Sequence, residues 1–199
     1  NRIKGLYKKN KMKIAIIGSS GFIGKSLLFF LKKNTKHKIL SFPSYILNKN
    51  KWIDKVASQI KKRKPEIIIN CSGNQNLKTS KKDLINILRS NLFSNIVFIN
   101  QALEYKNFKG YISFGTKWEL GDSKIKKPLN FYAASKMAND VFFNFFSNKK
   151  SAIITLKVFD TYGKNDMRKK FLNDLLRSYK HNKFLNITGG KQYLDYINI

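Results

Sequence analysis

At 199 residues, 42% hydrophobic and 14% aromatic, the chain has the length of one domain, or of one domain with part of a second. Its apolar content excludes a mainly disordered state. Forty Lys and Arg against 11 Asp and Glu give +29, the charge of a protein that could meet a polyanion.

The first eleven residues are basic, lack the apolar stretch and cleavage site of a secretory signal, and read as an extension upstream of Met12. Residues 14–17 form a branched apolar run that predicts a strand. It stops at Gly18, and apolar periodicity over 22–33 predicts a helix. The alternation continues with a strand at 37–42, a helix at 53–62 with Asp54 at its start, and a strand at 66–71 announced by Pro65. A long helical region at 82–105, a strand at 111–114 and a helix at 132–146 follow. A strand at 152–159, a helix at 168–181 and a strand at 184–187 complete the series, and a further apolar alternation over 193–197 reads as a strand cut by the chain end. Strands separated by helices require parallel crossovers, so the fold class is α/β with a doubly wound parallel sheet. The run Ile67, Ile68 and Ile69 suits a central strand covered on both faces. We expect a dinucleotide-binding domain over 12–166 and the truncated start of a substrate-binding region over 167–199. Cys71 stands alone, so no internal disulfide or multi-cysteine metal site is expected and the compartment is read as reducing. His37 and His181 are isolated from each other and from Cys71, so no metal site is expected. No apolar run approaches the roughly 18–20 residues of a membrane span.

Gly18-Ser-Ser-Gly21-Phe-Ile-Gly24 lies between a strand and a helix, the context in which such a motif binds a dinucleotide. Gly18 permits the turn, Gly21 lets backbone approach a pyrophosphate, and Gly24 lets the helix pack against the sheet. The helix N-terminus then offers N–H groups to the phosphates. After the second strand the chain offers Ser41, Phe42, Pro43 and Ser44, then Lys49 and Lys51, with no carboxylate before Asp54. A carboxylate there would bind the ribose hydroxyls and a cation the 2′-phosphate, so NADP is favoured over NAD.

Tyr132-Ala-Ala-Ser-Lys136 places a phenol and an ammonium one helical turn apart, on one face. A phenol is a poor acid or base near neutrality, and an adjacent cation stabilises its phenolate. The pair can then move a proton at a sugar or alcohol oxygen while hydride moves to or from a dinucleotide. Thr116 lies just past the strand at 111–114, at the edge where ligands bind in open parallel sheets, and its hydroxyl can bond the same oxygen.

These segments, with Ile69-Asn-Cys-Ser-Gly73, Asn91 and Phe159-Asp-Thr-Tyr-Gly163, resemble the extended short-chain dehydrogenase/reductase family, the NAD-dependent epimerase/dehydratases with a Rossmann fold. The resemblance implies a cytoplasmic enzyme acting on a nucleotide sugar, with Thr116, Tyr132 and Lys136 catalytic. It implies that Phe22 and Ile23 cover the pyrophosphate, and that Cys71, Ser72 and Gly73 line the nicotinamide ribose side. Asn91 would contact the cofactor and hold the catalytic helix, Lys136 would bind the ribose hydroxyls, Phe159 would lie against the nicotinamide, and Asp160 would contact substrate. A homodimer packed through the helices before and bearing Tyr132 is also implied. Gly115-Thr116, Trp118 and Pro128-Leu-Asn-Phe-Tyr132 are most similar to the branch of CDP-abequose and CDP-paratose synthases, 4-keto reductases serving surface polysaccharides.

The chain departs from sugar dehydratases, which carry an Asp-Glu pair after the catalytic Thr, where Lys117 and Trp118 stand. Glu119, one position on, reads as a poor substitute. Asp160 and Leu194 stand where many relatives have Asn and Arg. An epimerase remains the nearest alternative, and a non-catalytic dinucleotide-binding or RNA-associated module is the other. Against the latter, Arg occurs only at 2, 63, 89, 168 and 177 while Lys accompanies Asn and Ile throughout. Nucleic-acid readers favour Arg, and Lys, Asn and Ile share A/T-rich codons, so no specific nucleic-acid partner is expected. Phe142, Phe143, Phe145 and Phe146 read as core and helix packing rather than a base-stacking platform.

Overall fold

The computed structural model describes residues 11–44, 49–121, 127–147, 151–164, 166–190 and 194–199. Nearly all of the expected upstream extension, and residues 122–126 of the loop after Thr116, lie outside the described residues. Two compact units are present, Asn1–Lys157 and Val158–Ile199.

The first unit is built on β1 (Lys13–Ile17), α1 (Phe22–Asn34), β2 (Lys38–Phe42), α2 (Lys49–Arg63) and β3 (Ile67–Asn70). It continues with α3 (Lys81–Leu88), a π-helical turn (Arg89–Phe93), α4 (Ser94–Leu103) and β4 (Gly110–Thr116). A 3-10 turn (Lys117–Glu119), α5 (Phe131–Phe146) and β5 (Ala152–Val158) complete it. The sheet runs β2-β1-β3-β4-β5, and β1 pairs in parallel with β2 and β3, as β3 does with β4. Successive strands go to one side of β1 and then to the other. The order therefore reverses between β1 and β3, and such a switch point opens a crevice at the carboxyl ends of the strands. Ala15, Ile17 and Ile68 from the strands meet Ile53, Val56 and Ile60 of α2 and Phe98, Ile99 and Ala102 of α4 in one buried core. The isoleucine run falls on β3, between β1 and β4, as a strand covered on both faces requires.

Several boundaries differ from expectation. The second helix begins at Lys49, which places Asp54 inside α2 rather than at its start. The region 82–105 is helical over 81–103 but passes through a π-helical turn, which periodicity alone does not reveal. The phenylalanine cluster divides: Phe143 is buried with its ring edge on Tyr111, whereas Phe142 and Phe145 are exposed.

In the second unit, β6 (Asp160–Tyr162) and β7 (Tyr196–Asn198) pair in parallel and α6 (Phe171–Lys180) lies between them in sequence. The strand expected over 152–159 thus ends at Val158, and residues 160–162 belong to a different sheet. No strand forms at 184–187. Phe184 and Ile187 are exposed and no ladder partner is present among the described residues, so the local apolar signal has nothing to pair with.

Candidate active site

The glycine turn lies flush against the start of the loop after β3. Gly18 has φ +77°, a conformation costly for any side-chain-bearing residue, and a Cβ there would stand 2.6 Å from the Ser72 nitrogen. Gly24 is packed onto the same turn, since its Cβ would fall 2.2 Å from the Gly18 carbonyl oxygen. Gly21 caps α1 without a side-chain bond, and the first turn, which holds Phe22 and Ile23, carries no acidic residue. The positive end of α1 is therefore not neutralised from within its first turn, a fit for a pyrophosphate. Beside it, the Ser19 and Ser41 hydroxyls bond each other at 2.8 Å, and the Ser44 N–H donates to Ser20 Oγ at 3.0 Å.

The loop after β3 is shaped by Asn70, whose Oδ1 accepts from the Ser72 N–H at 3.0 Å and the Ser72 hydroxyl at 2.6 Å. Cys71 is half-buried, and burial pushes its thiol up to about 12, partly opposed by Lys136. That is the signature of an inert small side chain rather than a nucleophile.

Behind the loop runs a connected asparagine network. Asn91, in the π-helical turn, accepts the Asn74 N–H at 2.7 Å and donates to the Asn74 carbonyl and to Ser135 Oγ, both at 3.0 Å. Asn95 donates to the Asn91 carbonyl and to Asn139 Oδ1, and accepts from Asn70 and from the Tyr111 hydroxyl. Asn139 returns a bond to the Asn91 carbonyl at 2.9 Å. Asn70, Asn91, Asn95 and Asn139 are all buried. The π-helical turn is what aims Asn91 at α5, a device recurrent at functional sites. Asn91 thereby ties α5 to the loop at Gly73.

α5 starts where Asn130 Oδ1 accepts the Ala133 N–H at 2.9 Å. Both members of the Tyr–Lys pair on it are buried, Tyr132 at 7% exposure and Lys136 at 5%. A Cβ on Gly73 would meet Lys136 Nζ at 3.2 Å and Asn91 Oδ1 at 3.4 Å, so the ammonium reaches the loop after β3. Burial pulls Lys136 down to about 8, partly opposed by Glu119 and Cys71. Burial raises the Tyr132 phenol, a bond from the Gln75 side chain opposes the rise, and Glu119 adds to it. The Trp118 ring stands edge-on to Tyr132 at 6.2 Å. Thr116 closes β4 and caps the 3-10 turn, its Oγ1 accepting the Trp118 N–H at 3.4 Å and its own N–H donating to Glu119 Oε1 at 2.7 Å.

Tyr132, Lys136, Asn91, Gly73 and Thr116 thus gather at the carboxyl edge of the sheet, beside the glycine turn that meets Ser72. Phe159 and Asp160 lie in the second unit, where Asp160 on β6 accepts from Lys170 at 2.8 Å. Sequence reasoning missed Gln75, Asn95 and Asn139, whose polarity marked no motif, and gave Asn70, inside the Ile69–Gly73 segment, no role of its own. It also discounted Glu119, although Thr116-Lys-Trp-Glu119 carries the spacing of a capping box.

Among the described residues no helix is long and apolar enough to cross a membrane. The chain is 27% identical to the CDP-abequose synthase of Yersinia pseudotuberculosis, over 94% of its own length and 69% of that enzyme's. Its fold is that of UDP-glucuronic acid 4-epimerase from Bacillus cereus (TM-score 0.78, 17% identity, 94% of this chain and 69% of that one). It is likewise that of dTDP-4-dehydrorhamnose reductase from Bacillus anthracis (TM-score 0.69, 23% identity), covering 86% of this chain and 61% of the reductase. The profile of the NAD dependent epimerase/dehydratase family matches residues 14–199. With a glycine turn at the switch point and a Tyr–Lys pair beside it, the chain belongs to the NAD dependent epimerase/dehydratase family.

Proposed function

We propose that the protein is a nucleotide-sugar 4-keto reductase that uses NADPH in preference to NADH. One observation carries the reading: both side chains of the Tyr132–Lys136 pair are buried, and the Lys136 ammonium reaches the loop beside the glycine turn instead of solvent. A solvated helix face would show the opposite. The N-terminus of α1, with no acid in its first turn, and the Ser19 and Ser41 hydroxyls beside the glycine turn fit a dinucleotide, while Gly18 and Gly24 let that turn pack against Ser72 and α1; Gly18, Gly21 and Gly24 would form its phosphate-binding turn. Cys71, Ser72, Gly73, Asn91 and Lys136 would take the nicotinamide ribose side, and Phe159 its ring. When bound, that group supplies the hydride.

This chain's part is to bind and polarise the ketone and to supply the proton. The raised phenol keeps Tyr132 protonated at neutral pH, the form a general acid needs. Tyr132 would donate its proton to the ketone oxygen as that oxygen gains charge, and Thr116 would hold the same oxygen by a second bond. The Lys136 ammonium stabilises the phenolate left behind. Asp160 is the candidate contact to the sugar, and the region 167–199 the start of the substrate-binding part. The likeness to CDP-abequose synthase supports a nucleoside-diphosphate deoxyhexose as substrate and a role in surface polysaccharide synthesis. The reading places the protein in the cytoplasm. Val141 and Phe145 on α5 and Leu88 and Phe93 before it are exposed apolar groups that support a homodimer through these helices.

The test is hydride transfer from NADPH to a panel of 4-keto nucleotide sugars, with Tyr132→Phe as control. The variant should retain dinucleotide binding and lose at least about 100-fold in kcat. Interconversion of sugars without added dinucleotide would make it an epimerase. Lost dinucleotide binding in Tyr132→Phe would make the phenol structural.

A further inference from the structure

We infer that Glu119, linked through Lys157 to Asp140, is a positioning residue that sets the Thr116 turn against the helix carrying Tyr132 and Lys136. The inference rests on the reductase reading for its kinetic consequence, but its geometry stands independently. Glu119 is buried to 2% exposure at the end of the 3-10 turn. Its Oε1 accepts the Thr116 N–H at 2.7 Å, and its Oε2 pairs with Lys157 on β5. The same ammonium lies 2.8 Å from Asp140 Oδ2, and Asp140 Oδ1 accepts from the Thr155 hydroxyl at 3.1 Å. Asp140 is four residues beyond Lys136, one turn along the same face of α5. Two elements that bring site residues, the end of β4 and helix α5, are thus bracketed through strand β5 by one ionic chain.

The bracket acts on reacting groups at both ends. At one end, the turn closed by Glu119 presents the Trp118 N–H to Thr116 Oγ1 at 3.4 Å, a bond that occupies a lone pair and not the hydroxyl proton. The same turn sets the Trp118 ring against Tyr132. At the other end, Asp140 lies one turn from Lys136. Room for the carboxylate is provided by Gly115, since a Cβ there would stand 2.4 Å from Glu119 Oε1. An ion pair with one partner as buried as Glu119 adds little to stability compared with apolar packing of the same volume, and fixing one arrangement is the best-attested use of such pairs. Its position behind Thr116 makes geometry the explanation for its presence.

Three measurements on the purified protein test this: turnover, dinucleotide affinity, and hydrogen exchange at the Thr116 amide, each in Glu119→Ala and Glu119→Gln. The alanine variant removes the acceptor. It should lower kcat about 10- to 100-fold, the scale of an ångström-sized misplacement, and speed Thr116 exchange at least about 10-fold, with dinucleotide affinity within about threefold. The glutamine variant keeps an oxygen for the Thr116 N–H but loses the charge that pairs with Lys157, so it should restore slow exchange and leave kcat between those of the alanine variant and wild type. The inference is overturned if the alanine variant turns over like wild type, if it loses dinucleotide binding, if glutamine fails to restore slow exchange, or if glutamine restores turnover fully, which would make the ion pair to Lys157 dispensable. If wild type reduces no sugar in the panel, the reductase reading fails, and the amide exchange alone decides for or against the bracket.

Discussion

Replacing Asn95 with Leu, the nearest apolar shape, tests the buried network behind the site. Asn95 is 1% exposed and bonds four partners: Asn70, Asn139, Tyr111 and the Asn91 carbonyl. Its loss deprives Asn139 Oδ1 of its partner and the Tyr111 hydroxyl proton of its acceptor, while the Asn91 carbonyl keeps the bond from Asn139. Each orphaned buried group costs about 1–3 kcal/mol, so Asn95→Leu should destabilise by about 2–6 kcal/mol. Tyr111→Phe is the control. Asn70 and Asn95 still bond each other at 2.7 Å, no polar atom loses its last partner, and the cost should be about 1 kcal/mol. Urea denaturation followed by circular dichroism and by Trp52 fluorescence, whose ring packs on Phe98, reads both values. An Asn95→Leu cost no larger than that of Tyr111→Phe would refute the argument that satisfied polar groups hold α4, α5 and β3 together.

Lys136 is held near 8 by burial, below its ordinary value of 10.5. The unfolded chain therefore binds the extra proton between those values, and this group makes stability rise with pH from about 8 to about 10.5. Lys136→Met should remove activity yet stabilise the fold by up to about 3 kcal/mol at pH 7, a gain that vanishes above about pH 10.5. Equal gains at pH 7 and pH 11 would contradict the burial argument. Gly24→Ala forces a Cβ to 2.2 Å from a backbone oxygen, which cannot yield, and should abolish dinucleotide binding in a calorimetric titration. Gly73→Ala meets side-chain ends, Lys136 Nζ at 3.2 Å and Asn91 Oδ1 at 3.4 Å, rather than backbone, so it should leave thermal stability nearly unchanged and slow turnover about 10-fold. Cys71, held up near 12, should react with iodoacetamide at pH 7.5 at least about 10-fold more slowly than after unfolding in urea.

What could be read from sequence followed how local each signal is. The apolar run before Gly18 and the 22–33 periodicity each carry their own period, so strand, turn and helix were legible without any partner. The phenol and ammonium of Tyr132 and Lys136 were legible as a pair because a helix turn fixes their separation. The apolar stretch at 184–187 misled, because a strand exists only where an edge accepts it and the described residues offer none. Asp54 misled in a milder way, since the start of α2 rests on residues before the apolar pattern begins.

Sequence alone therefore determined the alternation of strands and helices, the glycine turn and the Tyr132–Lys136 spacing, because each depends on contacts within a few residues. Only the tertiary structure decided that Asn70, Asn91, Asn95 and Asn139 form one network, and that Glu119 meets Lys157 and, through it, Asp140. Those partners are from 4 to 48 residues apart in the asparagine network and 17 to 38 in the ionic chain. A polar side chain announces no distant partner in advance. Burial makes the bond obligatory, and burial is a property of the packed sheet and helices.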